Sequence, residues 1–270
     1  MRHGVDIMVL KSTGYLENLY NFYIQHLTEL NSVYEILSDE ESKKVYLAAL
    51  KGKLTQRIAD FRFAPEPQYF LEGFLPAEGD IAIDGGAYLG ETAVEFVKQG
   101  AKVYSFEMDV LNYQKCLPVA DKYGFTMENF GLSNQEGEEF YNSNGYASHK
   151  GFGESIAKFI DLDTYVDRKN LPRVDYIKLD IEGSELDMLH GAAKTISRWK
   201  PKMAISAYHR PEDLWTLVAY IKSIRPDYEF KFRDYGSSSC DWEIQKRNIL
   251  KKFNTERFVP TEWEMVLYCR

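Results

Sequence analysis

Gly79-Asp80-Ile81-Ala82-Ile83-Asp84-Gly85-Gly86-Ala87-Tyr88-Leu89-Gly90-Glu91-Thr92 reads as a strand, a glycine-rich turn and the start of a helix. Ile81, Ala82 and Ile83 form a short apolar run of the kind that is buried on both faces of a parallel sheet. Gly85, Gly86 and Gly90 have no Cβ, so the turn can take dihedrals closed to other residues and let a ligand lie against its backbone. The helix opening at Glu91 points unpaired N–H groups at that ligand. The stretch is a ligand cradle, and the chain is organised around it.

Beyond the cradle, Ala93, Val94, Phe96 and Val97 mark the buried face of a helix that Gly100 stops with a left-handed cap. Ala101 to Phe106 is the next strand, ending at Glu107. Leu111 to Tyr123 is expected to be a helix shortened or kinked by Pro118, and Gly124 ends it. A strand near Phe125 to Phe130 leads to a turn at Gly131-Leu132-Ser133-Asn134. Glu136 to Phe159, rich in Gly, Ser and Asn with aromatics at Tyr141, Tyr146 and Phe152, reads as a loop or irregular hairpin. A short helix begins at Leu162, and Val174 to Leu179 is a fourth strand closed by Asp180. The helix from Ser184 to Trp199 carries Leu186, Leu189, Ala192 and Ile196 on one face. Lys202 to Ala207 is a fifth strand, Pro211 precedes a helix over Glu212 to Ile224, and Tyr228 to Phe232 and Glu264 to Cys269 supply two more strands. This alternation implies a parallel α/β sheet of about seven strands with right-handed crossovers, its last two strands pairing antiparallel at one edge.

Before the cradle, Leu16, Leu19, Tyr20, Tyr23, Ile24, Leu27 and Leu30 recur at helical spacing. Ser38 with Glu41 three residues later reads as a capping box opening a second helix, and a third is expected from Leu54 to Phe61. Pro65 and Pro67 break the pattern. The expected division is a helical N-terminal region over 1–65, acting as a lid, as packing or as a contact in a homo-oligomer, and a ligand-binding domain over 66–270.

The formal net charge of −8 and the absence of a lysine or arginine run exclude the basic surface that nucleic acid phosphates require. No apolar run approaches the ~18–20 residues of a membrane span, and the first residues lack the apolar core of a signal peptide. A cytoplasmic protein with no membrane partner is expected. Cys116, Cys240 and Cys269 have no metal-type spacing and read as free thiols.

In an open parallel sheet, ligands bind beyond the carboxyl ends of the strands, where Asp84, Glu107, Asp180 and His209 all fall. Glu107, one helix and one strand beyond Asp84, is placed to accept both hydroxyls of an adenosine ribose. A nicotinamide dinucleotide is the alternative, but its pyrophosphate needs a closer Gly-x-Gly-x-x-Gly spacing than Gly86-x-x-x-Gly90. Carboxylates at Asp84 and Glu91 would repel a pyrophosphate and attract the ammonium and sulfonium of S-adenosylmethionine. For Glu91, a first-turn acid stabilised by the helix dipole is the plain alternative.

The runs Ala82 to Thr92, Tyr104-Ser105-Phe106-Glu107 and Tyr176-Ile177-Lys178-Leu179-Asp180-Ile181-Glu182-Gly183-Ser184-Glu185 resemble the FkbM-type methyltransferases. The likeness continues through Leu189-His190-Gly191-Ala192, Lys200-Pro201-Lys202, Ala207-Tyr208-His209 and Val266-Leu267-Tyr268. It implies a class I methyltransferase (Rossmann-like) fold and S-adenosylmethionine-dependent methyl transfer to a hydroxyl oxygen of a small molecule or glycan. The implied cofactor set is Asp84, Gly85, Gly86, Ala87, Tyr88, Gly90, Glu91, Thr92, Glu107, Met108, Leu132, Ser133 and Asp180. Where related sequences often read Arg-His-Tyr this one has Arg233-Asp234-Tyr235, and Gly236 to Pro260 is longer and more charged than usual.

Methyl transfer needs alignment of acceptor and methyl carbon above all, and a base for the hydroxyl proton. Asp180, Glu182 and His209 are the candidate catalytic residues: Asp180 contacts the methionine end or takes the proton, and His209 titrates near neutral pH. Lys178, Asp180 and Glu182 alternate, so a continuing strand would place them on one side, with Lys178 paired to a carboxylate. Because no Asp-Asn or Asn-Asn pair follows the fifth strand to complete an oxygen shell, no metal is expected. Asp180-Ile181-Glu182-Gly183 in place of an Asn/Asp-Pro-Pro-Tyr turn disfavours an amine acceptor. Trp215 reads as helix packing, with sugar stacking as the alternative. Two rival functions are a nicotinamide-dependent oxidoreductase and a non-catalytic interaction module that keeps the fold.

Overall fold

The computed structural model describes residues 15–55, 57–143, 149–151, 153–236 and 264–270. In order these form α1 (Tyr15–Gln25), α2 (Leu27–Ile36), α3 (Glu40–Thr55), a 3-10 turn at Ile58–Asp60, β1 (Ile81–Gly85), α4 (Glu91–Lys98), β2 (Lys102–Phe106), α5 (Val110–Tyr123), β3 (Thr126–Glu128), β4 (Gly131–Leu132), β5 (Gly137–Asn142), β6 (His149–Lys150), β7 (Ser155–Ile160), α6 (Leu162–Lys169), β8 (Tyr176–Leu179), α7 (Glu185–Gly191), α8 (Ala193–Trp199), β9 (Lys202–Ser206), α9 (Asp213–Ile224), β10 (Phe230–Asp234) and β11 (Met265–Cys269). Seven strands form one mostly parallel sheet in the order β10-β11-β9-β8-β1-β2-β3, with an antiparallel pair at one edge.

The described residues fall into two compact units, one within 15–71, 229–236 and 264–268, the other within 72–228 and 269–270. In the second unit, β1 lies between β2 and β8, parallel to both. Every residue of β1 and β8 is buried, as a strand covered on both faces requires. The register sets Asp84 of β1 beside Ser105 of β2 and Lys178 of β8. Asp109 caps α5 by accepting from the N–H groups of Leu111 and Asn112, and the helix continues through Pro118 to a left-handed Gly124. Pro118 therefore does not shorten it. Trp215 is buried on α9.

The stretch after Ser133 is more ordered than a loop. β5 and β7 pair antiparallel from Gly137↔Phe159 to Tyr141↔Ser155, within a second sheet of order β4-β7-β5-β6. The expected helix over Ser184 to Trp199 is two helices broken at Ala192. Gly191 passes so near the Ser133 carbonyl that a Cβ would stand 2.2 Å from its oxygen. Lys194 and Thr195 donate their N–H groups to the Asp163 carboxylate, so α8 starts on a cap from α6.

In the first unit, α3 packs on β10. Asp39, rather than Ser38, accepts from the Ser42 N–H at 2.6 Å and caps α3, because the Ser38 hydroxyl donates to the Phe230 carbonyl. The Arg233 guanidinium donates to Asp39 and to the Ser42 hydroxyl. Burial works against ionisation of Asp39, but bonds from Arg233 and Ser42 outweigh it and hold its carboxyl well below the usual range. The helix expected over Leu54 to Phe61 is reduced to the 3-10 turn.

Cys116 and Cys269 are buried free thiols. Tyr146, Phe152, Cys240 and the segment 237–260 lie outside the described residues. No helix among the described residues is long and apolar enough to cross a membrane.

Candidate active site

The glycine turn is built by backbone packing. Gly86 and Ala87 both donate to the Phe106 carbonyl at the end of β2, and the Asp180 N–H donates to the Gly85 carbonyl. Gly86 has φ +79, and a Cβ there would stand 1.8 Å from the Asp180 carbonyl oxygen, so only glycine fits. Gly90 has φ +88 and caps α4. Gly85, which the sequence suggested as part of the turn, ends β1 with Leu132 and Leu179 packed against it. Ala87 is buried, Thr92 half-buried and Glu91 exposed. Tyr88 is 38% exposed and adopts a left-handed φ of +48, uncommon for a residue with a side chain.

Asp84 is fully buried. Its carboxylate pairs with the Lys178 ammonium at 3.1 Å and accepts from the Ser105 hydroxyl at 3.0 Å. Lys178 also donates to the Gly85 and Gly86 carbonyls. Asp84 is not the free charge that its sequence position suggested: Lys178 compensates it and ties it to the Gly85 and Gly86 carbonyls of the turn.

Glu107 lies directly after β2, with its carboxylate fixed by two backbone donors, Tyr88 N–H at 2.9 Å and Asp109 N–H at 2.8 Å. Burial pushes its carboxyl up to about 7, against the pull of those two donors. Met108, half-buried, packs on Tyr141, Ala157 and Phe159. Tyr141 is thus a core residue of the second sheet. Leu132 and Ser133 are buried at the end of β4, where Ser133 donates to the Ile160 carbonyl.

A second cluster gathers after β8 and β9. His209 Nε2 lies 3.5 Å from both Asp180 Oδ1 and Glu182 Oε2, and Nδ1 lies 3.0 Å from Glu185 Oε1. Tyr208 donates its hydroxyl to Asp180 Oδ1 at 3.1 Å. β8 stops at Leu179, so strand alternation does not bring Asp180 and Glu182 together. A left-handed turn through Glu182 (φ +55) and Gly183 (φ +88) does, while Lys178 points to Asp84. Burial alone would depress the His209 imidazole, but Glu185, Asp180 and Glu182 outweigh it and raise it to about 9. So surrounded, the ring favours the charged imidazolium form at neutral pH, which counts against its serving as the base.

Glu185 and Tyr208 were missed by reasoning from sequence, although both stand in the quoted runs. Glu185 is fully buried, accepts from the Ile181 N–H and reaches His209. Its signal was the Asp180-x-Glu182-x-x-Glu185 spacing, which reads locally as ordinary first-turn acids. Asp213 of α9 is pushed up to about 7 by burial and by Glu185.

Residues 84–232 match the methyltransferase FkbM domain family. Among solved structures, the methyltransferase FkbM from Methylobacillus flagellatus KT is 26% identical with a TM-score of 0.71, covering 93% of this chain and 60% of that one. The chain thus spans about three-fifths of that protein's length. An rRNA methylase from Streptococcus thermophilus is 15% identical with a TM-score of 0.40, covering 71% of this chain and 87% of that one. Fibrillarin from Aeropyrum pernix, in complex with natively bound S-adenosyl-L-methionine, is 10% identical with a TM-score of 0.40, covering 72% of this chain and 67% of that one. A comparison with curated proteins finds no match. Since the matched domain takes in more than half of the 270 residues, this chain belongs to the FkbM methyltransferase family.

Proposed function

We propose that this chain is an S-adenosylmethionine-dependent O-methyltransferase that acts on a hydroxyl of a small molecule or glycan. The observation that carries the reading is the fixed carboxylate of Glu107 beside the glycine turn. Each of its oxygens is held by one backbone N–H, and each keeps a lone pair for one of two vicinal ribose hydroxyls. The turn from Gly86 to Gly90 then takes the methionine end, near Asp180.

The transfer is an in-line displacement. Held by Glu107 and the glycine turn, S-adenosylmethionine would supply a methyl group activated by its sulfonium, with sulfur taking back the bonding pair as the acceptor oxygen bonds to carbon. Alignment supplies most of the acceleration. The hydroxyl proton passes to a carboxylate of the rim, Glu182 or Asp180, the latter fixed by the Tyr208 hydroxyl. The net charge of −8 favours an uncharged or cationic acceptor over a nucleic acid.

Isothermal titration with S-adenosylmethionine and S-adenosylhomocysteine, with NADH as control, tests the cofactor. Binding of the sulfonium pair alone supports the reading; binding of NADH alone, or of none of the three, refutes it. Transfer of a labelled methyl group to a panel of sugars, glycosides and amines then tests the oxygen preference, which fails if only amines are labelled.

A further inference from the structure

We propose that His209 Nε2, Asp180 and Glu182 form a binding site for one divalent metal ion of the Mn2+ to Zn2+ series, with Glu185 behind it orienting the imidazole. The sequence suggested no metal because an oxygen pair was sought after the fifth strand. The donor that stands there is a nitrogen.

The distances favour shared coordination over direct hydrogen bonding. Nε2 is 3.5 Å from each of the two carboxylate oxygens, beyond the ~2.9–3.0 Å usual for N–H···O bonds. Two donors bonded at ~2.0–2.2 Å to one tetrahedral ion sit ~3.4 Å apart. The His209 side chain is only 9% exposed, and its ring nitrogens meet carboxylates at ion-pair distance without a hydrogen bond of good geometry among the described residues. A buried polar atom of that kind calls for a ligand.

The surroundings have the form of an outer coordination shell. A metal-bound histidine donates its other ring N–H to a carboxylate, and Glu185 Oε1 lies 3.0 Å from Nδ1. Ligating carboxylates are themselves hydrogen-bonded, as Asp180 is by the Tyr208 hydroxyl. Donor atoms of Asp180, Glu185 and His209 all lie within 4.8 Å of one another, and Glu182 approaches this group through His209 Nε2. One imidazole among carboxylates suits a borderline ion better than Mg2+ or Ca2+, which prefer oxygen alone. Three carboxylates around one imidazole also leave an excess of negative charge that a dication offsets.

On loading, Nε2 gives its proton to solvent and its lone pair to the ion. Use of the ion to bind the acceptor hydroxyl and ease its deprotonation rests on the methyl-transfer reading above. The metal site itself rests on the geometry.

The test uses the full chain, stripped with a chelator and titrated calorimetrically with Mn2+ and Zn2+, with Mg2+ for comparison. Expected are one site per chain, Mn2+ or Zn2+ bound at least tenfold more tightly than Mg2+, and pulsed electron paramagnetic resonance of bound Mn2+ showing a directly bonded imidazole nitrogen. Glu185→Gln should weaken binding about 10–100-fold. His209→Ala and Asp180→Asn should abolish it. No binding to the wild-type chain, or bound Mn2+ without nitrogen coupling, overturns the site whatever the variants do. Titration with S-adenosylhomocysteine in parallel separates the two readings: cofactor binding without metal binding removes only the metal site, and metal binding without cofactor binding removes only the methyl-transfer reading.

Discussion

The backbone of Gly86 lies so close to Asp180 that a Cβ on the glycine would stand 1.8 Å from the Asp180 carbonyl oxygen. β1 and β8 are adjacent and parallel, so the turns leaving them must pass one another in the space of a hydrogen atom. Gly86→Ala forces a side chain into that gap at a left-handed φ of +79. The expected loss is about 3 kcal/mol or more, since the clash is with backbone that cannot turn aside. A thermal melt should fall by on the order of 10 °C, with S-adenosylhomocysteine binding lost. A variant as stable as the wild type would show that the two turns can separate.

Lys178 and Asp84 are 3% and 0% exposed, so neither charge can turn to water if its partner is removed. Lys178→Met should cost about 3–5 kcal/mol, mostly the penalty of an unpaired buried carboxylate. Adding Asp84→Asn to that variant should recover part of the loss. Urea unfolding of the two single variants and the double variant gives the coupling, and additive losses would refute it.

The strand, glycine turn and helix start were legible because the signal is local: an apolar run, glycines and a helix start stand next to one another in the chain. The strands and their alternation with helices were legible for the same reason. What the sequence hid depends on distant partners. α8 begins at Ala193 because Asp163 of α6 caps it, and nothing near Ala192 announces that. Of the loop and the irregular hairpin read over Glu136 to Phe159 the antiparallel pairing holds, but its strands were hard to bound because outward positions include Phe140 and Ile156, an apolar cross-strand pair that is 57% and 61% exposed, which erases the usual alternation. Lys178 and Glu182 were grouped by strand periodicity, but the strand ends at Leu179 and the left-handed Glu182 resets the direction of its side chain. Glu185 opens α7 with nothing beside it in the chain to mark its partner, because His209 reaches it from the end of β9.

Asp234 of β10 is fully buried and accepts the Gly236 N–H, and burial pushes its carboxyl up to about 6. Between the ordinary value of 3.8 and about 6, the folded chain holds a proton that the unfolded chain has lost. Stability from this group therefore falls as pH rises through that window, and the whole cost is present above it. Asp234→Asn keeps an acceptor for Gly236 and removes the charge. It should stabilise the protein by about 2–3 kcal/mol at pH 8 and change little at pH 4. Melting curves at the two pH values check this, and equal shifts at both would be evidence against a buried charge.

Glu107 gives the sharpest test of the ribose assignment, because its burial makes cofactor affinity depend on pH near neutrality. The carboxyl is raised from 4.5 to about 7, so the free protein carries it largely neutral at pH 6 and largely ionised at pH 8. Ribose hydroxyls donate to the ionised form, so binding must first remove the proton below pH 7. S-adenosylhomocysteine should bind about tenfold more tightly at pH 8 than at pH 6, levelling off above 8. Stability of the free protein should run the other way, falling as pH rises from 4.5 to about 7 and then staying flat. Glu107→Gln removes the titrating group: affinity should be weak at every pH, its pH dependence should vanish, and the free protein should be no less stable at pH 8. Calorimetric titration at half-unit steps, with the variant correcting for titration of the ligand's own amine, decides the matter. Wild-type affinity that is flat across this range, or a Gln variant that binds as tightly as the wild type, would take the ribose away from Glu107.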